Sequence, residues 1–189
     1  LDLSSQSGDV RVSGTKGEVS VSTVEGTIRV EGGSGFVTLE SVEGGIELLS
    51  TAGRISASTV AGGISIRGAS GDLKASAVDG DINLVDIDSS NLEANTVDGN
   101  ISFSGPIRAG GRYRLSSHDG DVMVTTPAIN AEVSVSTFSG AFESDYPATL
   151  KGTQNRGRMS FTLGTGGARL ELESFDGTVA LRKGSSRKP

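Results

Sequence analysis

The residues best equipped for chemistry in this chain are a column of carboxylates, one histidine and a group of arginines and tyrosines. Glu25, Glu43, Asp79, Asp98, Asp119 and Asp176 each stand directly before a glycine, with Asp81 and Asp121 just after one. Carboxylates stacked in a column repel one another, and divalent cations could bridge them. Acid-glycine pairs are also favoured turn chemistry. The nine-residue calcium repeat reads Gly-Gly-x-Gly-x-Asp, a motif this chain lacks, so the column reads as turns and no metal is assigned. His118, the sole histidine, lies beside Asp119 and Asp121. Nothing in the spacing supplies it with ligand or triad partners, and it reads as a packed corner residue. No Gly-x-Ser-x-Gly elbow, P-loop or His-Glu-x-x-His is present. No catalytic or cofactor-binding residue is therefore named, no cofactor is expected, and the chain is expected not to be an enzyme. The strongest candidate is a partner-binding ridge of Arg108, Arg112, Arg114, Tyr146, Arg156 and Arg158, close in sequence within an otherwise acidic chain. Tyrosine and arginine favour recognition surfaces; Tyr113, in the same stretch, could instead be core.

Bulk composition narrows the partners. A formal net charge of −6 disfavours nucleic acid, whose phosphates need a basic surface. The absence of cysteine removes disulfides and thiolate metal sites. No apolar run nears the roughly 18 residues that cross a bilayer, so no membrane insertion is expected of this segment. Any export or anchoring signal is expected upstream of Leu1, because the repeat is already under way there.

The elements that must position these residues follow from that repeat. Glycines fall at 8, 17, 26, 35, 44, 53, 62, 71 and 80, nine residues apart. After each comes alternation of variable and apolar residues, as in Gly17-Glu18-Val19-Ser20-Val21 and Gly26-Thr27-Ile28-Arg29-Val30. Period two marks a strand with one buried face. Two kinds of unit alternate, one ending in a Ser/Thr-rich corner such as Ser58-Thr59-Val60-Ala61-Gly62, so the true period is 18. Corners that recur every 18 residues stack if the chain winds. The expectation is an all-β parallel solenoid (a β-helix) of about ten coils of about 18 residues, with two short strands per coil. It would be one domain over 1–183 with a tail at 184–189, and a rod roughly 45–50 Å long. One buried column would run Val19, Val37, Ile55, Leu73, Leu92, Tyr113, Val133, Leu170. The other would run Val10, Ile28, Ile46, Ile64, Ile82, Ile101, Val122, Phe142. Extra residues enter near Asp86–Ser89, Gly105–Gly110 and Thr125–Asn130, always between the second strand of one coil and the first of the next. Such insertions project from one edge, which is where the ridge is placed, over about 86–158. The corner column changes from Val24, Val42, Val60, Val78 and Val97 to His118, Phe138 and Phe175, read as a core thickening toward the C-terminus.

The recurring Ser-Gly-Asp-Val (7–10), Val-Glu-Gly-Thr-Ile (24–28), Val-Asp-Gly-Asp-Ile (78–82) and Val-Asp-Gly-Asn-Ile (97–101) resemble a bacterial adhesin-type family of β-strand repeats, otherwise of unknown function. The resemblance implies the same solenoid fold and a place in the cell envelope or outside the cell; it transfers no catalytic residues. Three functions follow as expectations. The first is a rigid surface module offering the ridge to a glycan or protein. The second is a scaffold that self-associates through uncapped solenoid ends. The remote third is a polysaccharide-active enzyme, although the outward residues show no convergent acid pair.

Overall fold

A computed structural model of the chain describes residues 1–147 and 157–184. The described residues hold nineteen strands and no helix. In chain order they are β1 (Asp2–Ser7), β2 (Val10–Ser13), β3 (Lys16–Glu25), β4 (Ile28–Glu31), β5 (Ser34–Glu43), β6 (Ile46–Leu49) and β7 (Ala52–Ala61). There follow β8 (Ile64–Arg67), β9 (Ser70–Asp79), β10 (Ile82–Val85), β11 (Asp88–Asp98), β12 (Ile101–Ser104) and β13 (Arg112–Asp119). The last are β14 (Val122–Thr126), β15 (Ala131–Thr137), β16 (Phe142–Ser144), β17 (Arg158–Leu163), β18 (Ala168–Asp176) and β19 (Val179–Lys183). Up to β14, odd strands build one sheet and even strands the other, each pairing in parallel with its equivalent one turn away. The chain winds, as its 18-residue period requires.

Strict register explains the sequence pattern. Val19, Val37, Ile55, Leu73, Leu92 and Tyr113 are successive partners in the first sheet. Ile28, Ile46, Ile64, Ile82, Ile101 and Val122 are successive partners in the second. All twelve are buried. The two inner faces meet as a thin apolar core, and the loss of water from these side chains is the main force holding the rod together.

The corner has its own logic. The hydroxyls of Thr59, Thr96 and Ser117 donate to the carbonyls of Gly44, Gly80 and Gly99 at 3.1, 3.1 and 2.8 Å. In these three coils the hydroxyl satisfies a carbonyl of the preceding coil's turn, whereas Thr23 donates to the Glu25 carbonyl of its own coil. The following glycine is fixed by sterics: at Gly62 φ is 140°, and a Cβ would fall 2.4 Å from the Gly44 carbonyl oxygen.

Three expectations need correction. The chain makes seven sequential turns, β1–β2 to β13–β14, rather than about ten. Beyond them sequence order and spatial order part: β18 pairs with β13 on one side and β15 on the other, while β19 lies between β14 and β16. Leu170, not Val133, therefore stacks on Tyr113. The reason is corner chemistry. Ser174 donates to the Gly120 carbonyl at 2.9 Å, and the Asp121 carboxylate accepts the Thr178 N–H at 2.7 Å. The last coil thus carries the full Ser-x-Asp-Gly corner that matches Ser117-His118-Asp119-Gly120, whereas Phe138-Ser139-Gly140 lacks its acid. Strand β17 then pairs antiparallel with β15, the one antiparallel ladder among the described residues.

The third correction concerns the corner column. Val24, Val42, Val60, Val78 and Val97 are 45–50% exposed, Phe175 is 46% exposed and Phe138 78%. They stand outside the rod, so this column is not part of the core. At this position, three residues past the inward-facing Val21 and its equivalents and one past the buried Thr23 position, alternation turns the side chain outward.

Candidate functional site on the outer face of the ten-stranded sheet

The outward side chains of the first sheet form straight rows, because parallel strands in register put equivalent residues side by side. One row runs Glu18, Phe36, Arg54, Asp72, Asn91, Arg112, Arg169, Glu132. The next runs Ser20, Thr38, Ser56, Lys74, Glu93, Arg114, Glu171, Ser134. Opposite charges meet along them: Arg54–Asp72 at 3.7 Å, Lys74–Glu93 at 3.6 Å and Arg114–Glu171 at 3.6 Å. These pairs are solvent-exposed, so each adds little stability.

One step in these rows sets like charges side by side. Arg112 and Arg169 are direct register partners, and among the described residues neither makes an ion pair. Both side chains are exposed. They overlook a shallow trough of about 810 Å³ whose lining also includes Arg54, Lys74, Asn91, Arg114 and Glu171. Two guanidiniums side by side, each with a planar fork of donors, can hold a carboxylate, sulfate or phosphate in a bidentate grip.

The structure places the five described ridge residues apart rather than along one ridge. Arg108 lies in the 105–111 loop and grips Asp88 with two hydrogen bonds. That hydrogen bonding holds the Asp88 carboxyl below its ordinary range. Arg112 and Arg114 project from the sheet face into the trough. Tyr146 packs against the core, and its hydroxyl donates to the Thr126 carbonyl at 2.5 Å. Arg158 starts β17 opposite Ser136, at the far end of its strand from the Arg112 row. Arg156 lies outside the described residues. Tyr113 is core, 1% exposed, and supports the face from beneath. Sequence reasoning missed Arg169 and Glu171, since only the out-of-order placement of β18 brings them to Arg112 and Arg114. The shared Ser-x-Asp-Gly at 117–120 and 174–177 was the one signal that could have found them.

The acidic column is in register, with Asp79, Asp98, Asp119 and Asp176 successive partners. Among the described residues no group of three or more His, Asp or Glu side chains converges as a metal site. His118 is exposed rather than packed in a corner, and stacks on Phe175 with centroids 4.8 Å apart and planes at 15°. Among the described residues no helix is long and apolar enough to cross a membrane.

No curated protein and no solved structure matches the chain. The family model described as Toastrack DUF4097, a family of unknown function, matches residues 77–182. That span covers more than half the chain and takes in Arg112, Arg114, Arg169 and Glu171, and the chain belongs to the Toastrack DUF4097 family.

Proposed function

We propose that this chain is a non-enzymatic interaction module that binds an acidic glycan on the outer face of its ten-stranded sheet, with Arg112 and Arg169 as the anion grip. The observation that carries this reading is the direct register pairing of those two arginines, neither of which makes an ion pair among the described residues, with Glu132 lying on the far side of Arg169. Like charges opposed across strands cost stability, and a like-charge step kept on a surface whose other charged neighbours are opposite in sign is where a ligand is expected. An extended trough on a rigid rod suits a polymer, whose repeated carboxylates would meet Arg112 and Arg169 while sugar hydroxyls meet Asn91, Ser56 and Glu93. The repeat's likeness to adhesin-type sequences supports a place in the bacterial envelope or outside the cell. Isothermal titration with a short polyuronate tests it. Arg112→Ala and Arg169→Ala should each weaken binding about tenfold, in line with the loss of one charge-assisted pair, while Arg29→Ala on the opposite sheet should not. Equal affinity in all four proteins would refute the assignment.

A further inference from the structure

A second surface, on a different side of the rod, is unlike the first in every respect. Along the corner where the ten-stranded sheet turns into the nine-stranded one, Val24, Val42, Val60, Val78 and Val97 stand exposed in single file. The file continues through His118, Phe175 and Phe138, whose rings stack at 4.8 Å centroid separation. Eight side chains at strand spacing, seven of them apolar and the sixth the stacked imidazole of His118, make a ridge of about 34 Å. A groove of about 580 Å³ runs beside its first part, between the valines and Ser22, Glu40 and Ser58. Monomers seldom leave a continuous apolar strip of this kind without using it.

The charges beside the ridge say what covers it. The residue after each ridge position is Glu25, Glu43, Ala61, Asp79, Asp98, Asp119, Ser139 or Asp176. The residue after the corner glycine adds Asp9, Asp81 and Asp121. Neither position holds a lysine or arginine in any of these corners. A second copy laid on this edge would set the two acidic files against each other, which disfavours self-association here. Spacing suits a helix better than a strand, in step with the ridge over about three positions at a time. An α-helix repeats every 5.4 Å along its axis, close to the rod's spacing of about 4.8 Å, whereas same-face side chains of a strand recur every 6.6–6.8 Å or so.

We infer that this corner docks a cationic amphipathic α-helix of another protein, about 22 residues long where it spans the whole ridge. Its apolar stripe lies on the valine and phenylalanine file, and its flanking lysines and arginines meet the carboxylates. This is the helix-on-apolar-surface mode of recognition, with charge fixing its orientation.

Fluorescence anisotropy with a labelled 22-residue Leu/Lys amphipathic helix tests it on the full chain. A scrambled peptide of the same composition and a Leu/Glu helix serve as comparisons. The expected result is binding of the Leu/Lys helix alone, weakened at least tenfold by Val60→Ser with Val78→Ser, and at least threefold by Asp79→Asn with Asp98→Asn. These side chains are exposed, so the variants keep the fold, which circular dichroism checks. Equal binding of the scrambled peptide, or an affinity that the valine pair leaves unchanged, overturns the inference. So does a dimer in light scattering that the valine substitutions dissociate, since a second copy would then own the edge. None of these variants touches Arg112 or Arg169, so this outcome and that of the glycan titration are independent.

Discussion

The hydroxyl of Tyr113 donates to the Ser89 carbonyl at 2.5 Å, from one coil to the one before it, and accepts the Arg108 N–H at 2.8 Å. One phenol thereby closes two backbone groups, one of them in the 105–111 loop. Tyr113→Phe keeps the ring against Phe103, 5.9 Å away in an edge contact, but leaves a buried carbonyl and an N–H without this partner. The expected loss is about 1–3 kcal/mol, measured by urea unfolding, with the loop amides exchanging faster. An unchanged midpoint would show that the phenol does not hold the loop.

The same phenol sets an alkaline limit. Burial raises its pKa above the ordinary 10.0. The folded state therefore favours the neutral form. Stability from this term is fully present below the unfolded value near pH 10 and is lost as pH rises through the folded one. Melting temperature should fall above pH 10, and fall less steeply in Tyr113→Phe.

Asp88 works at the other end of the scale. The hydrogen bond from Arg108 pulls its pKa below 3.8, with burial opposing and the guanidinium charge assisting. The stabilising contribution is present above about pH 4 and disappears as pH drops through the folded value. Both side chains are about half exposed, so the effect is local. Asp88→Asn should abolish the acid sensitivity of proteolytic nicking in the 105–111 loop while leaving the global melt within about 0.5 kcal/mol. Loop cleavage that rises identically in both proteins below pH 4 would exclude this pair as its cause.

Two glycines separate close approach from turn conformation. A Cβ on Gly62 would meet the Gly44 carbonyl oxygen at 2.4 Å with φ at 140°, whereas one on Gly14, at φ 64°, meets nothing within 4 Å. Gly62→Ala should cost about 3 kcal/mol or more, because backbone of the neighbouring coil must move. Gly14→Ala should cost about 1 kcal/mol, the left-handed penalty alone. Similar losses in denaturant titration would mean that the coils separate easily at the corner.

What the sequence revealed and what it concealed divide along the same physical line. Parallel coils in register are a local rule repeated, so the columns from Val19 to Tyr113 and from Ile28 to Val122 could be read from spacing. The place of β18 is not local. It depends on which corner satisfies Gly120 and Asp121, a choice between two segments of similar pattern, 131–137 and 168–176. Chain order alone would put Val133 on Tyr113, and it hides the register pairing of Arg112 with Arg169. The outward turn of Val24 and its equivalents was also obscured, since an apolar column reads as core until its exposure is known.

That hidden pairing gives the sharpest test of whether the two arginines are there for binding or for the fold. If it served the fold, reversing one charge would harm the protein. Electrostatics argue the opposite: Arg112 has Asn91 and Arg169 as its lateral neighbours. Arg112→Glu would replace an opposed like-charge pair with a complementary one. A favourable cross-strand charge pair is worth on the order of 0.5 kcal/mol, so the melting temperature should hold or rise slightly. Polyuronate binding, which needs both guanidiniums, should vanish in the same variant. A variant that is less stable yet still binds would make Arg112 a structural residue and move the anion site elsewhere on the face.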